Sequence, residues 1–122
     1  MKRKFLTLLA AALVSSLAVA QPSVYFRRKL VLNGAPTAAR VRVLFDDGFA
    51  LWVNGRQVAS RNVSSTAHSA YATGGGENTL VQVDLDASAF VAGENTLAVV
   101  IKQGGPTSSD VSFDLELTLT GP

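Results

Sequence analysis

Residues 111–119 read Val-Ser-Phe-Asp-Leu-Glu-Leu-Thr-Leu, an unbroken alternation of apolar and polar side chains. Successive side chains of an extended strand point to opposite faces, so a period of two makes one apolar face and one wet face. The pattern recurs along the chain. Ala39–Phe45 sets Val41, Val43 and Phe45 against Arg40, Arg42 and Leu44. Phe49–Asn54 sets Phe49, Leu51 and Val53 against Ala50, Trp52 and Asn54. Val24–Leu32, Leu80–Leu85 and Thr96–Lys102 complete the expected strands, and no segment sustains a helical period. Between them recur turn signals: Asn33-Gly34, Asp47-Gly48, Asn54-Gly55, Gly93-Glu94-Asn95 and Gly104-Gly105-Pro106. Short half-buried strands at such intervals predict an all-β antiparallel β-sandwich.

The first twenty residues read differently. Lys2, Arg3 and Lys4 precede an apolar stretch, Phe5–Leu17, and then Ala18-Val19-Ala20. A charged n-region, a short apolar h-region and an A-x-A site are the layout of a secretory signal peptide. The stretch is shorter than the roughly 20 apolar residues a spanning helix needs. The expectation is a signal peptide over 1–20, one domain over 21–122, and a secreted or periplasmic protein with no membrane span after cleavage.

Removing 1–20 changes the charge balance. The chain has 11 Lys+Arg and 9 Asp+Glu. Three of the basic residues and none of the acidic ones lie in 1–20, which leaves 21–122 slightly acidic. A nucleic-acid partner calls for a basic face or stripe, which this balance does not supply. The chain has no cysteine and a single histidine, His68, so disulfides, thiol chemistry and multi-histidine metal sites are excluded within one chain. Stability must come from the core.

The turn at Asp46-Asp47-Gly48 admits two readings. In the first, Asp47-Gly48 closes a tight hairpin between 41–45 and 49–53, Gly48 supplies a positive φ and Asp46 accepts backbone N–H bonds. In the second, Asp46 and Asp47 hold a metal, calcium being the ion that takes carboxylate and carbonyl oxygens. Asn54-Gly55 reads as a further hairpin, with Arg56-Gln57-Val58 returning. Gly76–Leu80 and Gly93–Leu97 repeat one pentapeptide, Gly-Glu-Asn-Thr-Leu, ahead of an apolar strand each time.

Ala59–Glu77 is long and polar and holds His68 and Tyr71. Loops beyond about 12–15 residues in a compact domain are functional or disordered more often than not. Trp52, on the face opposite Leu51 and Val53, either packs beneath this loop or offers a platform on which a sugar ring stacks. Catalysis finds no frame: no Gly-x-Ser-x-Gly elbow is present, and adjacent aspartates on an extended chain point apart rather than across a cleft.

The stretches VYFRRKLVL (24–32), DDGFALWVNGRQVASRN (46–62), FVAGENTLAVVIKQ (90–103) and SSDVSFDLEL (108–117) resemble, in order, galactose-binding-like β-sandwich modules of secreted bacterial proteins. The nearest variant is often attached to calcineurin-like phosphoesterases and to spore-coat-type or lamin-tail-containing proteins. Lys102 stands where such modules often have His, and Asn62-Val63-Ser64 where they usually have Asn-Met-Pro. The resemblance implies a jelly-roll sandwich and a non-catalytic module that binds carbohydrate or mediates adhesion. The alternative it leaves is a docking or oligomerisation module on a larger secreted protein. The candidate ligand-binding residues are Trp52, Arg56, Arg61, Asn62, His68 and Tyr71. Asp46 and Asp47 are the candidate metal ligands, and no other cofactor is expected.

Overall fold

The structure is a computed structural model and describes residues 3–15, 22–74, 79–105 and 110–121. Among the described residues the strands are β1 (Arg3–Ser15), β2 (Ser23–Leu32), β3 (Ala38–Phe45), β4 (Gly48–Val53), β5 (Arg56–Arg61), β6 (Thr79–Leu85), β7 (Gly93–Lys102) and β8 (Asp110–Gly121). One four-stranded sheet has the order β1-β8-β3-β6 and the other β2-β7-β4-β5. Every pairing is antiparallel. Two four-stranded sheets interleaved in this order make an eight-stranded jelly roll. The expected all-β sandwich is the fold observed. No helix among the described residues is long and apolar enough to cross a membrane.

The alternation predicts the core. Val41, Val43 and Phe45 of β3 and Phe113, Leu115, Leu117 and Leu119 of β8 are buried, as are Phe49, Leu51 and Val53 of β4 across the sandwich. Leu97, Val99 and Ile101 of β7 join them. Two aromatic contacts tie strand to strand. Phe26 stacks on Phe113 with centroids 4.9 Å apart, and Phe45 tilts against Phe49 at 4.8 Å.

The second contact marks a correction. Residues 46–47 do not close a hairpin, because β3 and β4 belong to different sheets. The turn carries the chain from one layer to the other, and Phe45 and Phe49 meet across the core. The positive φ also falls on Asp47, at 88°, and not on Gly48. Gly48 is needed for closeness instead: a Cβ there would lie 2.8 Å from the Asn62 carbonyl oxygen and 3.0 Å from that of Arg61. At Asn54-Gly55 the expected hairpin between β4 and β5 is present, with φ of 52° and 82°. Two consecutive positive φ values match the twist of paired strands.

Of the two Gly-Glu-Asn-Thr-Leu copies, the first lies largely outside the described residues. In the second, Asn95 is fully buried and its amide is saturated. Its Oδ1 accepts from the Val91 N–H and from Asn54 Nδ2, and its Nδ2 donates to the carbonyls of Val91 and Gly93. Asn54 in turn accepts from the Thr96 N–H through its Oδ1. The β4–β5 turn is thereby fastened to the entry of β7.

Candidate functional site

The candidate residues fall into two groups about the sheet β2-β7-β4-β5. At one end lies the loop of residues 62–74. Asn62, in the left-handed region at φ 57°, donates from Nδ2 to the Asp47 carbonyl. The Ala72 N–H donates to the Gln103 carbonyl, and that of Thr73 to Asn62. Ser23 donates from Oγ to the His68 carbonyl, and the His68 ring stacks on Tyr25 at 5.7 Å. Lys102, although on the outer face of β7, is fully buried and donates from Nζ to Ser23 Oγ and to the Ala67 carbonyl. Burial pushes its ammonium below the usual lysine range. Backbone bonds and a buried cation therefore fasten this loop to the sheet, and His68 serves through its main chain and its ring. Gln103 beside it is buried, and its Oε1 meets no donor among the described residues.

The aspartate pair sits at the same end. Asp47 accepts from the Gly104 N–H at 2.6 Å, while the Asp46 N–H donates to the Ser112 carbonyl. Asp47 thus makes a side-chain-to-backbone bond of the kind expected of Asp46. Among the described residues no three His, Asp or Glu side chains converge as metal ligands do. Arg61 is exposed and folds back onto the Ser60 carbonyl, and Tyr71 is half-buried.

The second group surrounds Trp52. Its half-buried indole lines a groove of about 500 Å³ with Tyr25, Arg27, Gly55, Thr96 and Ala98. The residues that line this groove come from the strands and from the β4–β5 turn. The strand registers explain the shape. Arg27 lies opposite Ala98, and Ala98 opposite Trp52. The two large side chains rise two strand spacings apart, about 10 Å, with only a methyl group between them. A β-bulge adjoins the tryptophan: Leu51 pairs with Ala59 and Trp52 with Gln57, which leaves Val58 as the extra residue. Such bulges re-aim a side chain. Arg56 follows the β4–β5 turn but is held by Asp86 at 3.0 Å. The Ser88 hydroxyl and N–H, together with Arg56, hold the Asp86 carboxyl down to about 2.

Two other hollows, of about 480 and 260 Å³, open on the opposite sheet, and neither contains an aromatic ring. The structure thus divides the predicted set. Trp52 is in the aromatic groove, Arg56 opposes core-facing Val53 and pairs with Asp86, and Arg61, Asn62, His68 and Tyr71 belong to the loop end. Tyr25, Arg27, Thr96 and Ala98 were missed. Their outward phase is visible in the alternation of 25-27-29 and 96-98, but that these strands are neighbours is not.

The chain matches no family model and no curated protein. It is similar in fold to solved structures. One, entitled "putative beta-galactosidase" from Bacteroides fragilis, matches at 13% identity and a TM-score of 0.50, over 84% of this chain and 16% of that one. Another, dimeric latent PorU from Porphyromonas gingivalis, matches at 11% identity and a TM-score of 0.50, over 98% of this chain and 13% of that one. The chain spans about a sixth or less of these proteins. At such identity the likeness is one of fold, a β-sandwich segment within much larger chains.

Proposed function

We propose that this protein is an exported, non-catalytic module that binds carbohydrate in the groove at Trp52. The observation that carries this reading is the half-buried indole on the groove wall beside a methyl floor, flanked by the Thr96 hydroxyl and the Arg27 guanidinium. Ligand pockets combine apolar and aromatic walls with a few placed polar groups, and 300–1,000 Å³ is their usual size. The apolar face of a sugar ring stacks on an indole while its hydroxyls take the polar groups at the edge. The beta-galactosidase name of one structural neighbour supports a setting in which such sandwiches accompany glycan chemistry. The signal-like residues 1–20 support export.

The test is affinity electrophoresis of the purified protein through gels containing neutral and acidic polysaccharides. Retardation that disappears in Trp52→Ala, with the circular dichroism spectrum unchanged, is the expected result. No retardation by any glycan, together with capture of a protein partner by the same face, would install the docking reading instead.

A further inference from the structure

We infer that the groove selects anionic glycans, those carrying uronic acid carboxylates, with Arg27 as the residue that reads the charge. This rests on the carbohydrate reading above and adds to it the class of sugar.

Charge pairing sets Arg27 apart. Lys29 is paired with Glu94 at 3.2 Å and Arg56 with Asp86 at 3.0 Å. On the opposite sheet Arg40 is paired with Asp84 at 2.8 Å. Arg27 and its neighbour Arg28 are exposed and have no carboxylate partner among the described residues. The other described acidic residues lie elsewhere: Asp46 and Asp47 at the loop end, and Asp110, Asp114 and Glu116 along β8 of the other sheet. Of the two arginines, Arg27 lines the groove, so its β2 wall carries an uncompensated positive charge.

Position makes that charge useful. Arg27 is separated from Trp52 by Ala98 alone in the cross-strand row, so one sugar ring can lie on the indole and over the methyl with its edge toward the guanidinium. A guanidinium offers two parallel N–H donors that match a carboxylate, a geometry an ammonium lacks. The carboxyl of a uronic acid projects from the ring edge, which is the edge that faces Arg27 when the ring face is on Trp52. Thr96, one position along β7 on the same face, offers a hydroxyl to a ring hydroxyl. Methyl esterification of the sugar acid removes the charge and one acceptor while keeping the ring, and so isolates the claim.

The experiment compares polygalacturonate, its methyl ester, alginate and neutral galactan by affinity electrophoresis and titration calorimetry. Wild-type protein, Arg27→Gln, Trp52→Ala and, as a control on the other sheet, Arg40→Gln are run in parallel. The expected result is binding to the acidic polymers at least tenfold tighter than to the ester or galactan, weakening with salt. Arg27→Gln should erase that preference while retaining binding to the ester, Trp52→Ala should lose all binding, and Arg40→Gln should behave as wild type. Equal binding of acid and ester, or binding of galactan alone, would overturn the inference and leave the carbohydrate reading standing. Loss of preference in Arg40→Gln would also overturn it, because the charge effect would then be diffuse. Binding to none of the four polymers would overturn both.

Discussion

The ammonium of Lys102 donates to the carbonyl oxygen of Ala67, so a side chain rooted on β7 holds a loop from 35 residues earlier in the chain. The cation is fully buried, and its second partner, Ser23 Oγ, is neutral as well. A buried cation held by neutral acceptors keeps its solvation cost.

That cost sets a pH dependence. Burial lowers the Lys102 pKa below its ordinary 10.5. Below the folded-state pKa both states are protonated, and the cost of burying charge is fully present. As pH rises through the folded pKa toward 10.5, the unfolded chain binds more protons than the folded one, so stability rises. The melting temperature of the wild type should therefore climb relative to Lys102→Met between neutral pH and about 10.5. Parallel curves for the two proteins would mean that Lys102 is solvated.

Asp47 gives a second measurable contact. Its carboxylate accepts from the Gly104 N–H and its backbone holds φ at 88°. Hydrogen bonds to charged groups contribute about 1.5–3 kcal/mol. Asp47→Ala should cost about 2 kcal/mol in urea unfolding, since alanine also fits a positive φ poorly. Asp47→Asn, which keeps an acceptor and tolerates that backbone, should cost less. With no converging ligand cluster among the described residues, EDTA should leave the wild-type melting temperature where it is. A calcium-dependent rise lost in Asp47→Ala would revive the metal reading.

The sequence shows the strands and hides their neighbours, and the reason is physical. Alternation in β3 and β8 reports which side chains meet the core, because burying Val41, Val43, Phe113 and Leu115 is a property of each strand alone. Whether Asp47-Gly48 folds β3 back on β4 or sends it to the other layer depends on β8 and β7, which pair with those strands from far along the chain. The Asp-Gly signal correctly marks a turn but not which of the two residues takes the unusual φ, since the close approach of the Asn62 carbonyl claims Gly48. At the site the same divide holds. Trp52 is legible by phase. Arg27 and Ala98 become its companions only through two registers, and Lys102 reads as a solvent-facing lysine until the loop covers it.

Asn95 shows what a polar residue in a strand-entry phrase contributes. It is fully buried and makes four hydrogen bonds, one of them to Asn54 at 2.9 Å. Asn95→Ala strands the Val91 N–H and frees Asn54 Nδ2 to its remaining partner, the Ala89 carbonyl. Buried groups left without partners cost about 1–3 kcal/mol each. Chemical denaturation should show a loss of about 3 kcal/mol, larger than for Asn54→Ala at the exposed turn. A loss under 1 kcal/mol would mean that water replaces the amide.

Strand β1 lies at the edge of its sheet. It pairs with β8 from Arg3 opposite Gly121 to Ser15 opposite Asp110, with a register shift between Lys4 and Leu6 near its charged start. Edge strands in water carry charges, prolines or bulges that discourage further pairing. Between Lys4 and Ser15 the sequence has no charge, its one polar residue is Thr7, and it lacks the alternation seen in β3 and β8. Those are the properties of an h-region. N-terminal sequencing of exported protein should therefore begin at Gln21, and a product retaining Phe5–Leu17 would refute cleavage. In a protein of residues 21–122, β8 becomes an edge, and along an antiparallel strand successive amides point alternately to its two neighbours. Every second amide of 112–120 should exchange with solvent faster than in the full chain, while those bonded to β3 keep their protection. Uniform protection along β8 in the shorter protein would show that another strand has taken the place of β1.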